Sequence, residues 1–100
     1  MPITRRQFEL GIDPAIEEWM EKLYDFLKDH KAEAYSADEL EATFRVAPTT
    51  TALFVTRSPE QDALGRALAA LLEIRAIDTR EVRGVTYYAF KRPVDKSNWL

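Results

Sequence analysis

The chain has 100 residues, of which 46% are hydrophobic and 31% charged, a composition that predicts one compact domain rather than a disordered or repetitive chain. It contains no cysteine and a single histidine, which excludes disulfides, thiolate metal sites and a histidine cluster. The net charge is −3, with 5 Lys/Arg against 11 Asp/Glu in residues 1–44 and 9 against 6 in residues 45–100. This asymmetry indicates either a face that meets an anionic partner or an acidic solvated helix followed by an ordinary surface.

The sequence shows no segment that would place the protein in a membrane. No apolar run approaches the roughly 20 residues that span a bilayer, and residues 1–14 lack the continuous apolar segment of a signal peptide. We therefore expect a cytoplasmic protein. Because a chain this short buries a modest fraction of its surface, a homodimer interface would add stability.

Residues 1–12 are predicted to form an N-terminal arm. Phe8, Leu10 and Ile12 alternate in a way that suits a short extended segment docked on the domain. The domain itself is expected to span residues 13–92, followed by a C-terminal tail over residues 93–100.

A long helix is predicted over residues 14–30. Asp13 is placed to cap its N-terminus, and Pro14 occupies the first helical position, where a missing N–H costs nothing. One apolar face follows at helical spacing: Ile16, Trp19, Met20, Leu23, Phe26 and Leu27.

A second, short helix is predicted over residues 37–44, because Ser36 and Glu39 form a capping box. Tyr35 is expected either to pair briefly with a strand or to pack against Leu40. The following residues 45–57 contain a proline and three threonines that oppose a helix. They are predicted to form a long irregular connection, within which residues 53–55 form a short buried strand or a packed loop.

A third helix is predicted over residues 59–75. Ser58, Pro59 and Gln61 form a second capping signature at its start. A buried stripe is predicted at Leu64, Ala67, Leu68, Leu71 and Leu72. The opposite side is predicted to carry Asp62, Gly65, Arg66, Ala69, Ala70 and Glu73.

A β-hairpin is predicted to close the chain, with strands over residues 78–82 and 85–91. Arg83 and Gly84 lie between them, and glycine at the second loop position suits a tight two-residue turn. In that register Ile77 faces Phe90, Arg80 faces Tyr87 and Val82 faces Val85.

This order of elements resembles the winged helix-turn-helix superfamily of small bacterial and archaeal regulators. The resemblance rests on YSADEL at the start of the second helix and on ALAALLEIRAIDTREVRGVTYYAF, the third helix with the hairpin that follows it. It implies an α+β, mainly helical fold of three helices followed by a C-terminal hairpin, the wing. It also implies that the third helix enters a DNA major groove.

Under that resemblance the chain is expected to bind double-stranded DNA as a small transcriptional regulator. Gln61 is the expected base reader, and Arg66 would contact a base or a phosphate. The expected phosphate contacts are Arg57, Arg80 and Arg83, and Ser58, the cap of the third helix, completes the predicted surface.

The alternative is a winged-helix module that binds a protein and has lost DNA binding, because the third helix carries few cations. Gly65, Ala69 and Ala70 would then allow close helix packing, and Trp99 in the tail would add contacts. An enzyme is not expected, since no nucleophile lies beside a general base in the sequence and the three glycines are scattered. No cofactor or metal ligand set is predicted.

Overall fold

The computed structural model of the chain describes residues 2–50 and 53–95. It is an α+β fold in which about half of the described residues are helical. The helices are α1 (Arg5–Leu10), α2 (Pro14–Asp29), α3 (Ala37–Thr43) and α4 (Pro59–Glu73); the strands are β1 (Tyr35–Ser36), β2 (Thr49–Thr50), β3 (Val55–Thr56), β4 (Ile77–Val82) and β5 (Val85–Phe90).

The three predicted helices and the C-terminal hairpin are confirmed, although the element order is richer than predicted. A fourth helix precedes them, a two-residue strand lies before α3, and a small hairpin separates α3 from α4. The prediction of three helices followed only by a hairpin is therefore wrong.

The extended N-terminal arm is wrong because Thr4 and Gln7 form a capping box that starts a helix. The Thr4 hydroxyl accepts from the Gln7 N–H at 3.0 Å, and Gln7 Oε1 accepts from the Thr4 N–H at 2.9 Å. The Gln7 amide also donates to Glu17 Oε2 at 2.9 Å, which fixes α1 against α2. Gly11, with a φ of 71°, ends the helix in the left-handed region.

The core lies between α2 and α4 and is closed by α3 and the start of β4. Asp13 caps α2 through a 2.9 Å bond to the Ile16 N–H, as predicted. The buried apolar residues come from all of these elements: Ile12, Ile16, Met20, Leu23, Tyr24, Leu27, Leu40, Leu64, Ala67, Leu68, Ala70, Leu71, Ala76 and Ile77.

A three-stranded antiparallel sheet, in the order β1-β5-β4, packs beside the helices. Tyr35 pairs with Tyr88, so the brief strand pairing predicted for Tyr35 is confirmed. The hairpin has the predicted register, with Ile77 opposite Phe90 and Val82 opposite Val85. Its turn places Arg83 at a φ of 52° and Gly84 at 81°, the left-handed pair that a two-residue hairpin turn requires.

The C-terminus of α4 is closed by Arg92. Its Nε donates to the Arg75 carbonyl at 3.0 Å and its Nη2 donates to the Ile74 carbonyl at 3.2 Å. A cation at this end of a helix also interacts favourably with the helix dipole. The residues that follow β5 are thus tied to the end of α4. Among the described residues, no helix is long and apolar enough to cross a bilayer.

Candidate interaction surface

The start of α4 is held by a capping box in which both side chains face inward. The Ser58 hydroxyl accepts from the Gln61 N–H at 3.2 Å, and Gln61 Oε1 accepts from the Ser58 N–H at 3.0 Å. Ser58 is 4% exposed and Gln61 is 7% exposed. The sequence predicted this cap, but the cap also uses two of the residues assigned to DNA.

A polar network joins this cap to α3. The Gln61 amide donates to Glu41 Oε1 at 2.7 Å, and Arg57 Nη2 lies 3.9 Å from Glu41 Oε2. Arg57 Nε also donates to Asp62 Oδ1 at 3.2 Å. We call Glu41, Arg57 and Gln61 the α3–α4 network. Its hydrogen bonds satisfy a largely buried carboxylate, so it fixes the angle between the two helices.

The network occupies the groups that a DNA contact would use. A base reader must present its amide to a groove, whereas the Gln61 side chain is buried and its Nε2 and Oε1 both have partners inside the protein. Arg57 is exposed, but it already lies between two carboxylates. Both side chains would have to leave their present partners to contact DNA.

The exposed side of α4 carries three acidic residues and one basic residue. Glu60, Asp62, Arg66 and Glu73 all face solvent. Gly65 and Ala69 are also exposed, as the small-residue face requires. The assignment of Ala70 to that face is wrong, because Ala70 is 2% exposed and packs in the core.

A shallow cavity of about 430 Å³ runs between the starts of α2 and α4. Arg57, Asp62 and Arg66 line it beside α4, and Asp13 lines it at the start of α2. The remaining lining is apolar: Ala15, Ile16, Pro59 and Ala63. With opposite charges already close together, this cavity carries no concentrated charge of either sign.

The C-terminal hairpin presents the two predicted arginines. Arg80 and Arg83 are exposed, and among residues 2–50 and 53–95 neither has a carboxylate within 4.0 Å. Val82 and Val85 flank the turn and are about half exposed. This end of the hairpin therefore combines two free cations with a small apolar pair.

The second hairpin, β2–β3, was missed by the sequence analysis. Thr50 pairs with Val55, and the connection is a short antiparallel ribbon rather than an irregular loop. The expected burial of residues 53–55 is wrong, because Leu53 is 89% exposed and Phe54 and Val55 are also largely exposed. The β-branched pairs Thr49-Thr50 and Val55-Thr56 were the signal for it.

A partly exposed aromatic cluster lies where α2 meets α3. The Phe26 ring lies 5.0 Å from that of Tyr35 and 5.6 Å from that of Phe44, and it also stacks on His30 at 4.3 Å. Partial burial, reinforced by the neighbouring Glu33 carboxylate, raises the pKa of the Tyr35 phenol. The Tyr35 hydroxyl donates to Glu33 Oε2 at 3.2 Å.

Comparison of the chain with protein-family models, with curated proteins and with solved structures finds no match. Within the described ranges, no three of its His, Asp and Glu residues are grouped as a metal site would require. Trp99, which was assigned to a partner contact, lies outside the described residues.

Proposed function

We propose that this chain is a winged-helix domain that binds a protein partner through its short hairpin and the exposed side of α4. The elements that support the winged-helix assignment are α2, α3, α4 and the β4–β5 hairpin, which follow one another in the order that the resemblance implies. The two-residue turn at Arg83 and Gly84 gives the last hairpin the form expected of a wing.

The observation that carries the proposal is the inward orientation of Gln61 together with the acidic surface of the first turns of α4. Phosphate neutralisation by Lys and Arg supplies most of nonspecific DNA affinity. Here Glu60 and Asp62 face solvent where a groove reader would approach the backbone, and Arg66 is the single exposed cation of the described helix. A duplex entering on this side would meet repulsion and would find no exposed base reader at Gln61.

The short hairpin supplies the apolar part of the proposed interface. Leu53, Phe54 and Val55 are three consecutive large apolar residues, each more than half exposed. Exposed apolar residues that are contiguous, rather than scattered singly, mark interaction sites in soluble proteins. Removing them from water on a partner would contribute binding free energy in proportion to the area buried.

Charge defines the partner further. The acidic residues at the start of α4 follow the short hairpin closely in sequence. A partner that covers both would contact the apolar residues of this hairpin beside negative charge. The complementary surface is an apolar groove bordered by lysine or arginine. We therefore expect a protein with a basic rim around its binding groove.

The test compares proteins captured from a lysate by the wild type and by two double variants. Leu53→Ser/Val55→Ser removes apolar surface from the short hairpin, and Ile3→Ser/Phe8→Ser removes comparable exposed surface near α1. We expect at least one protein to be retained by the wild type and the α1 variant and lost with the hairpin variant. That protein, purified, must then bind the wild type directly and the hairpin variant more weakly.

If no protein shows this pattern, or if the purified protein binds both variants equally, the proposal is wrong. Circular dichroism of each variant checks that the fold is kept, so that loss of binding is not loss of structure.

DNA binding through the wing is the second candidate function, favoured by the free arginines. Arg66, Arg80 and Arg83 are exposed and unpaired among the described residues. Three phosphate contacts would give a log–log salt dependence of about −3. An amide NMR titration with mixed-sequence duplex DNA at low and at near-physiological salt tests it: salt-sensitive shifts over residues 80–86 would support this candidate, and their absence would reject it.

A further inference from the structure

The strand β4 forms one edge of the three-stranded sheet. The order β1-β5-β4 places β5 on one side of β4, and no strand among the described residues pairs with its other side. Its residues from Asp78 to Val82 are exposed. An edge strand presents a row of unpaired N–H and C=O groups that can pair with another strand.

One hydrogen bond fixes which backbone groups of β4 point outward. The Lys91 N–H donates to the Ala76 carbonyl at 3.1 Å, so Ala76 bonds toward the β5 side of the ladder. Backbone groups alternate in direction along an antiparallel strand, so Asp78, Arg80 and Val82 also bond toward β5. The N–H and C=O groups of Ile77, Thr79 and Glu81 therefore point away from β5; Thr79 and Glu81 are exposed, whereas Ile77 is 2% exposed.

This edge lacks proline, lysine and a bulge, three of the features that discourage pairing, although it carries the charged residues Asp78, Arg80 and Glu81. Residues 77–82 contain no proline or lysine, and their register with β5 runs without a bulge from Ile77 to Val82. Five of its six residues, Asp78 to Val82, are exposed, whereas β1 at the opposite edge has only two residues in all.

We propose that β4 pairs antiparallel with β4 of a second copy of this chain, with Thr79 opposite Thr79 of that copy, joining the two sheets into one. The pairing requires a two-fold axis perpendicular to the sheet. Such an axis leaves the two faces of the joined sheet unchanged. Residues directly opposite each other in an antiparallel pair point to the same face, so the axis must pass between one residue and its own counterpart. The possible centres within the exposed strand are Thr79, Arg80 and Glu81.

Charge selects among these three registers. Centred on Thr79, the ladder places Asp78 opposite Arg80 of the second copy, and symmetry repeats that pair. Centred on Arg80 it opposes two arginines, and centred on Glu81 it opposes two glutamates. Opposite charges across a ladder are stabilising and like charges are destabilising, so the Thr79 register is favoured.

The backbone satisfies the same register. Thr79 would exchange two hydrogen bonds with its counterpart, and its N–H and C=O groups lie on the exposed part of the edge. Lys91 Nζ lies 3.5 Å from Asp78 Oδ1, so each Asp78 would lie between two cations in the dimer.

The β4 pairing uses neither the short hairpin nor the exposed side of α4, so a dimer can form without a partner and a partner can bind without a dimer. The experiment below contains only the purified chain, which makes the two failures distinguishable.

Disulfide trapping reads the register directly, because the chain contains no cysteine. Thr79→Cys, Arg80→Cys and Glu81→Cys each place one thiol at one of the three possible centres. The Cα atoms would be about 5.5 Å apart at a Thr79 or Glu81 centre and about 4.5 Å apart at an Arg80 centre, and both separations are within disulfide range. We expect Thr79→Cys to form a covalent dimer under mild oxidation, and the other two to form it much more slowly.

Non-reducing electrophoresis gives the result, with circular dichroism as the check on folding. Faster cross-linking of either of the other two variants would overturn the register. Absence of cross-linking in all three at high micromolar concentration would overturn the pairing itself.

Charge reversal provides a second measurement without a covalent bond. Arg80→Asp opposes two carboxylates at each symmetric pair and should weaken the dimer roughly ten-fold. Adding Asp78→Arg should restore most of the affinity. Arg83→Asp is the matched control, because Arg83 lies outside the paired residues and should leave association unchanged. Sedimentation equilibrium measures all four chains; equal association of Arg80→Asp and Arg83→Asp would contradict the proposal.

Discussion

The side-chain amide of Gln61 donates to Oε1 of Glu41 at 2.7 Å across the interface between α3 and α4. The same amide oxygen accepts the Ser58 N–H, so one side chain both caps α4 and binds it to α3. Gln7 does the same in α1, where it caps the helix and donates to Glu17 at 2.9 Å. In both caps glutamine provides what glutamate could not, a donor for the carboxylate of a neighbouring helix.

Gln61→Ala is expected to lower the free energy of unfolding by about 1–3 kcal/mol. The loss arises because the buried Glu41 carboxylate loses a donor and the cap loses one of its two hydrogen bonds. Chemical denaturation monitored by circular dichroism gives the value. Glu41→Gln is the control: its amide oxygen can still accept from Gln61, so it should cost less. If both variants cost the same, the donor from Gln61 is not the source of the effect.

Gly65→Ala is expected to raise the free energy of unfolding by about 0.5–1 kcal/mol, because glycine is unfavourable within a helix. A Cβ at Gly65 would meet nothing within 4 Å, so the chain alone gains helix stability without a clash. If a partner packs closely on this face, the same variant should bind it more weakly. Thermal unfolding measures the first effect, and titration with the partner from the capture experiment measures the second. A fall in stability would mean that the site is not open.

Arg75→Gly is expected to stabilise the fold by up to about 1 kcal/mol. Arg75 follows the end of α4 with a φ of 61°, a left-handed conformation that favours glycine. The N–H groups of Arg75 and Ala76 donate to the carbonyls of Leu72 and Leu71, and glycine keeps both bonds. Arg75→Ala retains the unfavourable φ and should leave the midpoint of denaturation nearly unchanged. A destabilised glycine variant would show that the arginine side chain stabilises this turn.

Tyr35→Phe is expected to reduce the loss of stability at alkaline pH. The folded chain holds the Tyr35 proton more tightly than the unfolded chain, because burial and Glu33 raise the pKa of the phenol. That contribution is fully present below about pH 10 and is lost as the pH rises through the higher folded pKa. The wild type should therefore lose stability more steeply than the variant.

Urea denaturation of both chains at about pH 8 and about pH 11 makes this comparison. The other titrating groups are common to the two chains and cancel in the difference. Parallel loss in the wild type and the variant would exclude a contribution from Tyr35.

Local signals in the sequence determined the starts of the helices and the last turn. Asp13 and Pro14, Ser36 and Glu39, and Ser58 and Gln61 each act within four residues, and the structure confirms all three helix starts. Thr4 and Gln7 form the same kind of signature, so α1 was also predictable from the sequence. The turn at residues 83–84 was determined locally as well, since only a few residue types accept its left-handed conformation.

The tertiary structure alone decided which of the candidate site residues face solvent. Gln61 is twenty residues from Glu41 in sequence, so neither the hydrogen bond between them nor the burial of Gln61 follows from the spacing of residues within α4. The same holds for the sheet edge, because the pairing of Tyr35 with Tyr88 makes β5 the central strand and leaves β4 at the edge. Capping and periodicity depend on neighbours along the chain, whereas exposure depends on packing between segments distant in sequence. That is why the three capped helices and the last hairpin could be predicted from the sequence, and the exposure of the candidate site residues could not.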